Sequence, residues 1–185
     1  QKRQADLQTL ARWEDQRLAP HDSLTAMLQS EDAHIRLAAG RSAGLIGRTD
    51  ITPLVIDLVE DPSVTVRAQA IFSLGLLGDS RALPVVTGAL EADQPPVRMA
   101  ALKALAHLEN DGEALMDVAV TGPPEEAALA WDALRNMVAG VDSTALVAAI
   151  KAGLLRPETE IQWHVLRCSE VIPEASLLPN IIPFT

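Results

Sequence analysis

The sequence predicts an all-α fold, an α–α superhelix (solenoid) of about five stacked helix pairs, on three observations. Arginine recurs at a fixed interval, at Arg36, Arg67 and Arg98, each 31 residues after the last. Apolar residues make up 48% of the chain but aromatics only 3%, with no Tyr, so Ala and Leu must fill the interior; both rank high as helix formers, whereas strands favour β-branched and aromatic side chains. Short runs with helical apolar spacing alternate with turns marked by Asp, Gly and Pro, one helix pair to each interval.

In the register set by the arginines, Ala39, Ala70 and Ala101 align, as do Gly44, Gly75 and Ala106, and then Ile46, Leu77 and Leu108. Small side chains at Ala39, Ala70 and Ala101 are expected to let neighbouring second helices approach closely. The period continues less faithfully in a Trp-x-x-Leu-Arg string: Trp131, Leu134 and Arg135 match Trp163, Leu166 and Arg167 at an offset of 32. Asp22, Asp50, Asp79, Asp111 and Asp142 each precede an apolar run and are expected to cap its N-terminus.

Each unit reads as a first (A) and a second (B) helix. The A helix is exemplified by DITPLVIDLVE and DSRALPVVTGALE, with Pro53 and Pro84 in or just after the first turn, where proline costs little. A turn such as EDPSV leads into the B helix, about 63–77 in the second repeat, on which Val66, Ala70, Leu74 and Leu77 form one stripe. Gly47 and Gly78 are placed to end B helices. Arg67 is expected to bond Asp61 or a carbonyl of the turn before it. A single helix pair cannot bury its apolar faces, but stacked neighbours make a continuous core. Leu7, Leu10 and Trp13 share a helical face, so residues 1–21 are expected to cap the array and 22–170 to form it. The tail ASLLPNIIPFT echoes SRALPVVTGAL, so 171–185 reads as the start of a sixth repeat or as a C-terminal cap. With that broken-off unit and no initiator Met at Gln1, the chain is expected to be a fragment of a longer protein.

The stretch EDPSVTVRAQAIFSLGLLGD resembles a HEAT-like repeat of the bacterial, phycobilisome-lyase-like type, over about residues 22–170. That resemblance implies a HEAT-like solenoid whose second helices line a concave, partner-binding face, and it implies no activity. The opening LARWEDQR followed by these repeats resembles the helical region ahead of cyclophilin-type prolyl isomerase domains in some bacterial envelope proteins. Nothing matches a cyclophilin active site, so no catalytic residue is carried over. This second resemblance implies a non-catalytic accessory domain of a larger enzyme, and a periplasmic rather than cytoplasmic location.

The formal net charge is −10 and the pI about 4.8. Nucleic-acid binders need a basic face to neutralise phosphates, so that class is disfavoured, although Arg41, Lys103, Arg135 and Arg167 fall on or near one expected face. No apolar run approaches the roughly 18 residues of a membrane span. Cys168 is the single cysteine, which excludes an intramolecular disulfide.

Candidate binding residues lie on the side of the B helices away from the Val66–Ala70–Leu77 stripe, at about 100° per residue. They are Leu37, Arg41 and Leu45 in the first repeat, Phe72 and Leu76 in the second, and Met99, Lys103 and His107 in the third. An apolar strip rimmed by charge suits a protein or peptide. The alternative is a B helix buried over a wider arc, with Phe72 packed against a neighbour. The leading reading is a non-enzymatic protein-interaction scaffold without a cofactor.

Chemistry-bearing clusters are sparse. Glu160, His164 and Cys168 follow i, i+4, i+8 on one expected helix and are zinc-ligand types, but no fourth ligand is evident. His164 with Cys168 also has the residue types of a base and a nucleophile, without an orienting third group. His21, Asp22 and Ser23 are triad types side by side; adjacent residues do not adopt the triad arrangement, and helix capping explains them better. No phosphate-cradling glycine motif or paired Cys-x-x-Cys occurs.

Overall fold

The computed structural model describes residues 1–109, 112–137 and 141–171. Among these there are eleven α-helices and no strand: α1 (Lys2–Gln16), α2 (His21–Leu28), α3 (Ala33–Ile46), α4 (Thr52–Asp57), α5 (Val64–Leu77), α6 (Leu83–Gly88), α7 (Pro95–Leu105), α8 (Glu113–Thr121), α9 (Pro124–Met137), α10 (Ser143–Leu154) and α11 (Thr159–Ser169). After α1 they form five A–B pairs, α2/α3 through α10/α11, which is the all-α helical-repeat architecture expected. The contacts divide the chain into two compact units, Gln1–Leu108 and Glu109–Thr185.

In the first unit α3, α5 and α7 pack side by side as one layer, with α1 beside α3 and the A helices packed against the same layer. Leu24, Ile51, Val55 and Val86 from the A side meet Ile35, Val66, Leu74 and Leu105 from the B side in a buried core. The A helices α4 and α6 are short because each is flanked by 3-10 turns, and Pro53 and Pro84 sit in their first turns. At the ends of α3 and α5, Gly47 (φ 77°) and Gly78 (φ 65°) adopt the left-handed conformation that a Cβ would strain.

Ala39, Ala70 and Ala101 are fully buried, but the closest B–B approach lies elsewhere. Gly44 abuts Ser73, and a Cβ built on Gly75 would stand 2.5 Å from Ala104 Cα and 2.7 Å from its Cβ. In the second unit α8, α9, α10 and α11 form two pairs, with α9 against α11. Trp131 fills the core there, and Gly153 makes room for it, since a Cβ on Gly153 would fall 2.6 Å from the indole.

The recurring arginines clamp the A–B turns. Arg36 Nη1 donates to the carbonyls of Ser30 (2.7 Å) and Glu31 (2.9 Å). Arg67 Nη1 donates to Asp61 (2.7 Å) and Pro62 (3.3 Å), and Arg98 Nη1 to Ala92 (2.7 Å) and Asp93 (3.1 Å). The two positions are always six and five residues upstream. Two guanidiniums also reach the next repeat: Arg36 Nη2 to the Asp61 carboxylate (3.0 Å) and Arg67 Nη2 to Gln94 Oε1 (3.1 Å). At the opposite end of the pairs, Arg48 Nη1 bonds the Ala19 carbonyl (2.6 Å) and Arg81 Nη2 that of Thr49 (2.8 Å). The fourth repeat has Ala127 in place of the clamp, and Arg156 supplies it from 29 residues downstream, donating to Gly122 (2.9 Å) and Val120 (3.2 Å). In the fifth, Gln162 Nε2 bonds the Arg156 carbonyl six residues upstream at 2.7 Å.

Of the expected aspartates that are among the described residues, only Asp142 caps an α-helix, accepting from Thr144 N (2.7 Å) and Ala145 N (3.0 Å) at the start of α10. Asp79 caps the 3-10 turn ahead of α6 instead, and Asp50 lies within such a turn, paired with Arg48. Asp22 sits in the first turn of α2, whose N-cap is Pro20. Asp32, absent from the periodic set, caps α3 through His34 N. Asp111 and the tail that echoes a sixth repeat lie outside the described residues.

Two outcomes follow for stability. Gly75→Ala is expected to cost about 1–3 kcal/mol by forcing α5 off α7, whereas Gly88→Ala, which meets open space on a right-handed backbone, is neutral or stabilises by about 0.5–1 kcal/mol; urea denaturation reads both. Arg67→Ala and Arg156→Ala should each cost roughly 2 kcal/mol, since each leaves turn carbonyls unsatisfied. The Arg36 guanidinium holds the Asp61 carboxyl below its ordinary value, aided by Ser63 N–H. That stabilisation is complete above about pH 4 and is lost as pH falls through the depressed folded value. The stability gap between wild type and Asp61→Asn should therefore shrink with acid and stay level from pH 6 to 8.

Candidate protein-binding face

In the first unit α5 is covered on three sides. On α5, Val66, Ala70, Leu74 and Leu77 are buried towards the A helices; Gly75 lies against α7, and Ser73 against α3. This leaves Thr65, Ala68, Phe72 and Leu76 as a partly or fully exposed stripe. The wide buried arc and the exposed strip, posed as alternatives by the sequence, are both present: Phe72 is half-buried, with one side in the layer and the other at the surface.

The structure brings together three of the eight expected residues. Phe72, Met99 and Lys103 line one groove between α5 and α7 with Thr65, Ala68, Gln69, Pro96 and Ala100, a cavity of about 410 Å³. Alanines at 68 and 100 create the depression, and Phe72 and Met99 supply apolar walls. Lys103 is exposed, is the only charged residue of the lining, and makes no ion pair among the described residues. Gln69 Nε2 donates to Ser73 Oγ at 3.1 Å, which orients the amide.

The other five expected residues lie outside this groove. Leu76 is one turn beyond Phe72, half-buried. On α3, Leu37 is half-buried, Leu45 is 40% exposed, and Arg41 contacts Glu14 of α1 at 3.3 Å. His107 is exposed just past the end of α7. A larger cavity, about 530 Å³, lies along the A–B turns of repeats two and three. Glu60, Glu91 and Asp93 line it together with Arg67, whose guanidinium is already held by turn carbonyls and Gln94.

In the second unit the expected alignment is corrected. Trp131 is fully buried while Trp163 is 53% exposed, and Leu134 is buried while Leu166 is 53% exposed. The equivalent positions on α9 and α11 are 35 residues apart, not 32: Ala130 matches Val165, and Gln162 takes the clamp position of Ala127. Trp163 instead meets the His164 ring edge-on at 5.1 Å, with the Arg167 guanidinium 4.7 Å over its face.

Glu160, His164 and Cys168 do not form a ligand set. Glu160 is exposed, Cys168 is buried, and His164 Nδ1 lies 3.1 Å from Asp132 Oδ1 on the neighbouring helix. Among the described residues, no group of three His, Cys, Asp or Glu side chains could hold a metal ion. The same burial raises the Cys168 thiol to about 11, the wrong direction for a nucleophile. His21, Asp22 and Ser23 are exposed on the first turn of α2. No helix among the described residues is long and apolar enough to cross a membrane.

Paired helices, clamped turns and an exposed B stripe define a helical-repeat protein. The chain belongs to the HEAT-repeat family, whose model matches residues 21–106 and, overlapping, 51–135. Among solved structures it is similar to a chain of the complex of CpcE and CpcF of phycocyanin lyase from Nostoc sp. PCC7120, with a TM-score of 0.68 and 23% identity, over 85% of this chain and 66% of that one. Two engineered proteins are also similar, with TM-scores of 0.57 and 0.55 at 19% and 18% identity; the alignments cover 83% and 82% of this chain and 79% and 80% of theirs. At such identities the likeness is one of fold. It agrees with the phycobilisome-lyase-like resemblance, whereas the resemblance to a region ahead of a prolyl isomerase finds no counterpart in these matches. No curated protein matches the chain.

The buried thiol yields a direct check. Cys168 in the native protein should resist a thiol-specific reagent at pH 8 and react only as the protein unfolds, with labelling and loss of helical circular dichroism following the same urea midpoint. Stoichiometric labelling of native protein within the mixing time would contradict this burial.

Proposed function

We propose that the chain is a protein-interaction scaffold, without catalysis of its own, and that it engages its partner through the exposed stripe of its B helices. One observation supports this most: Phe72 and Met99 form an apolar groove beside a lysine that has no ion-pair partner among the described residues. Grooves with apolar walls and few polar groups are where ligands settle, and aromatic side chains anchor interfaces more often than small ones do. Leu37, Arg41, Leu45, Leu76 and His107 extend the proposed surface on either side. In this reading α1 caps the array before α3, linked to it by Arg3 to Asp32 and by Ser42 Oγ to Glu14 (2.7 Å), and 22–170 is the repeat region.

A second reading is favoured by the likeness to a lyase chain that is itself part of a two-protein complex. The chain would then serve as an assembly partner within a larger enzyme, with the chemistry elsewhere. Both readings place the contact on the B stripe.

A photo-crosslinking residue at Leu76 or Lys103 should yield discrete protein adducts in the source cells, while one at the exposed Asp57 of α4 should yield none. Phe72→Asp should reduce those adducts about tenfold while the Tm of the variant stays above the growth temperature. Equal adducts from both sides, or none from the stripe, would remove the proposal; a large loss of stability with adducts retained would assign Phe72 to the core.

A further inference from the structure

We infer that the α5–α7 groove takes an acidic protein segment, one that sets a bulky apolar side chain between Phe72 and Met99 and a carboxylate beside Lys103. The inference rests on the scaffold reading and names the chemistry of the partner. Its basis is how charge is distributed. The chain carries 25 Asp and Glu residues and a net charge of −10. Yet α3, α5 and α7 contain no Asp or Glu. In this unit the acids sit in α1, in the A helices and in the turns, where several are tied to arginines or to helix N-termini.

The cations of the B layer are not equivalent. Arg36, Arg67 and Arg98 point to turn carbonyls, and Arg41 has Glu14 beside it. Lys103 stands over the groove without a protein carboxylate among the described residues. A ligand carboxylate placed there gains a partner without displacing one. A basic segment would meet an uncompensated like charge at the same spot, and like-charge juxtaposition is a strong discriminator. The acids on the other faces repel an acidic segment, which leaves this stripe as its landing place. The apolar half of the site is adaptable, because Met99 is unbranched and polarisable and can follow an aromatic or an aliphatic anchor. A polynucleotide fits poorly: Lys103 by itself cannot neutralise a run of phosphates, and the chain carries a net charge of −10.

The test is a display selection of random peptides against the immobilised full chain, run in parallel on wild type, Lys103→Glu and Phe72→Gln. Lys103 is exposed, so its substitution leaves the fold intact, and circular dichroism and Tm confirm this for both variants. Wild type should enrich peptides with net negative charge around an aromatic or Leu residue. A representative synthetic peptide should lose affinity roughly tenfold on Lys103→Glu, and Lys103→Glu should itself enrich neutral or basic flanks. Enrichment of neutral or basic peptides by wild type, with sensitivity to Phe72→Gln retained, overturns the acidic partner but keeps the scaffold. Failure of any peptide to respond to either substitution overturns the groove itself. Retention of a duplex or single-stranded oligonucleotide that competes with the peptide overturns the protein partner, as does a Lys103-dependent dimer in sedimentation, which would make a second copy the occupant.

Discussion

Everything in this chain depends on how the carbonyls at the A–B turns are satisfied. The last carbonyls of a helix lack intrahelical partners, and a tight turn into the next helix keeps water from some of them. Here a side chain from the first turn of the B helix reaches back five and six residues to bond them. A guanidinium suits the task because its planar fork serves two acceptors and still has a donor for the neighbouring repeat. That reach fixes the rotational phase of the B helix against its A helix, and the phase decides which residues face the core. The chemistry, and not the position, is what the fold requires: Ala127 cannot clamp, so Arg156 does it from the following turn, and Gln162 does it with an amide.

With the phase set, lateral packing shapes the surface. Gly75 against Ala104 and Gly44 against Ser73 bring helix backbones together without large side chains between them. Close-packed interiors tolerate little added volume, and α3 and α5, flanked on both sides, keep only a narrow strip in contact with solvent. Because α5 and α7 lie so near, Phe72 on one strip and Met99 and Lys103 on the other share a single depression. The candidate site is therefore a product of the same small residues that hold the layer.

Acidic residues follow the same geometry. Carboxylates stabilise helix N-termini and pair with the clamping arginines, so they gather at turns and in exposed A helices. On α3 and α5 nearly every position is either buried or on the narrow strip, and α3, α5 and α7 bear no carboxylate. A strongly acidic protein thus carries a row of three B helices in its first unit without a carboxylate of their own, and that contrast links the fold to the proposed partner chemistry.

The residues that repeat locally were readable in advance. The 31-residue arginine spacing, the prolines in the first turns of α4 and α6, and the glycines ending α3 and α5 all act through the chain within a few residues of themselves, so their spacing alone announces helix pairs. Phe72, Met99 and Lys103 were legible as a face for the same reason, since helical periodicity assigns a direction to each side chain. What needed the tertiary structure was every question of which helix meets which. The Trp-x-x-Leu-Arg string reads as a repeat, yet Trp131 is core and Trp163 is surface, because Val165 takes the buried place of Ala130 and Gln162 bonds the turn carbonyl of Arg156. Glu160, His164 and Cys168 shared a helical face only on paper, for lateral packing draws Cys168 inward and leaves Glu160 in solvent. The sequence by itself determined that this protein is a stack of helix pairs, because pairing is local; only the tertiary structure decided where the helices touch and which side chains that contact leaves free, because those depend on residues distant in the chain.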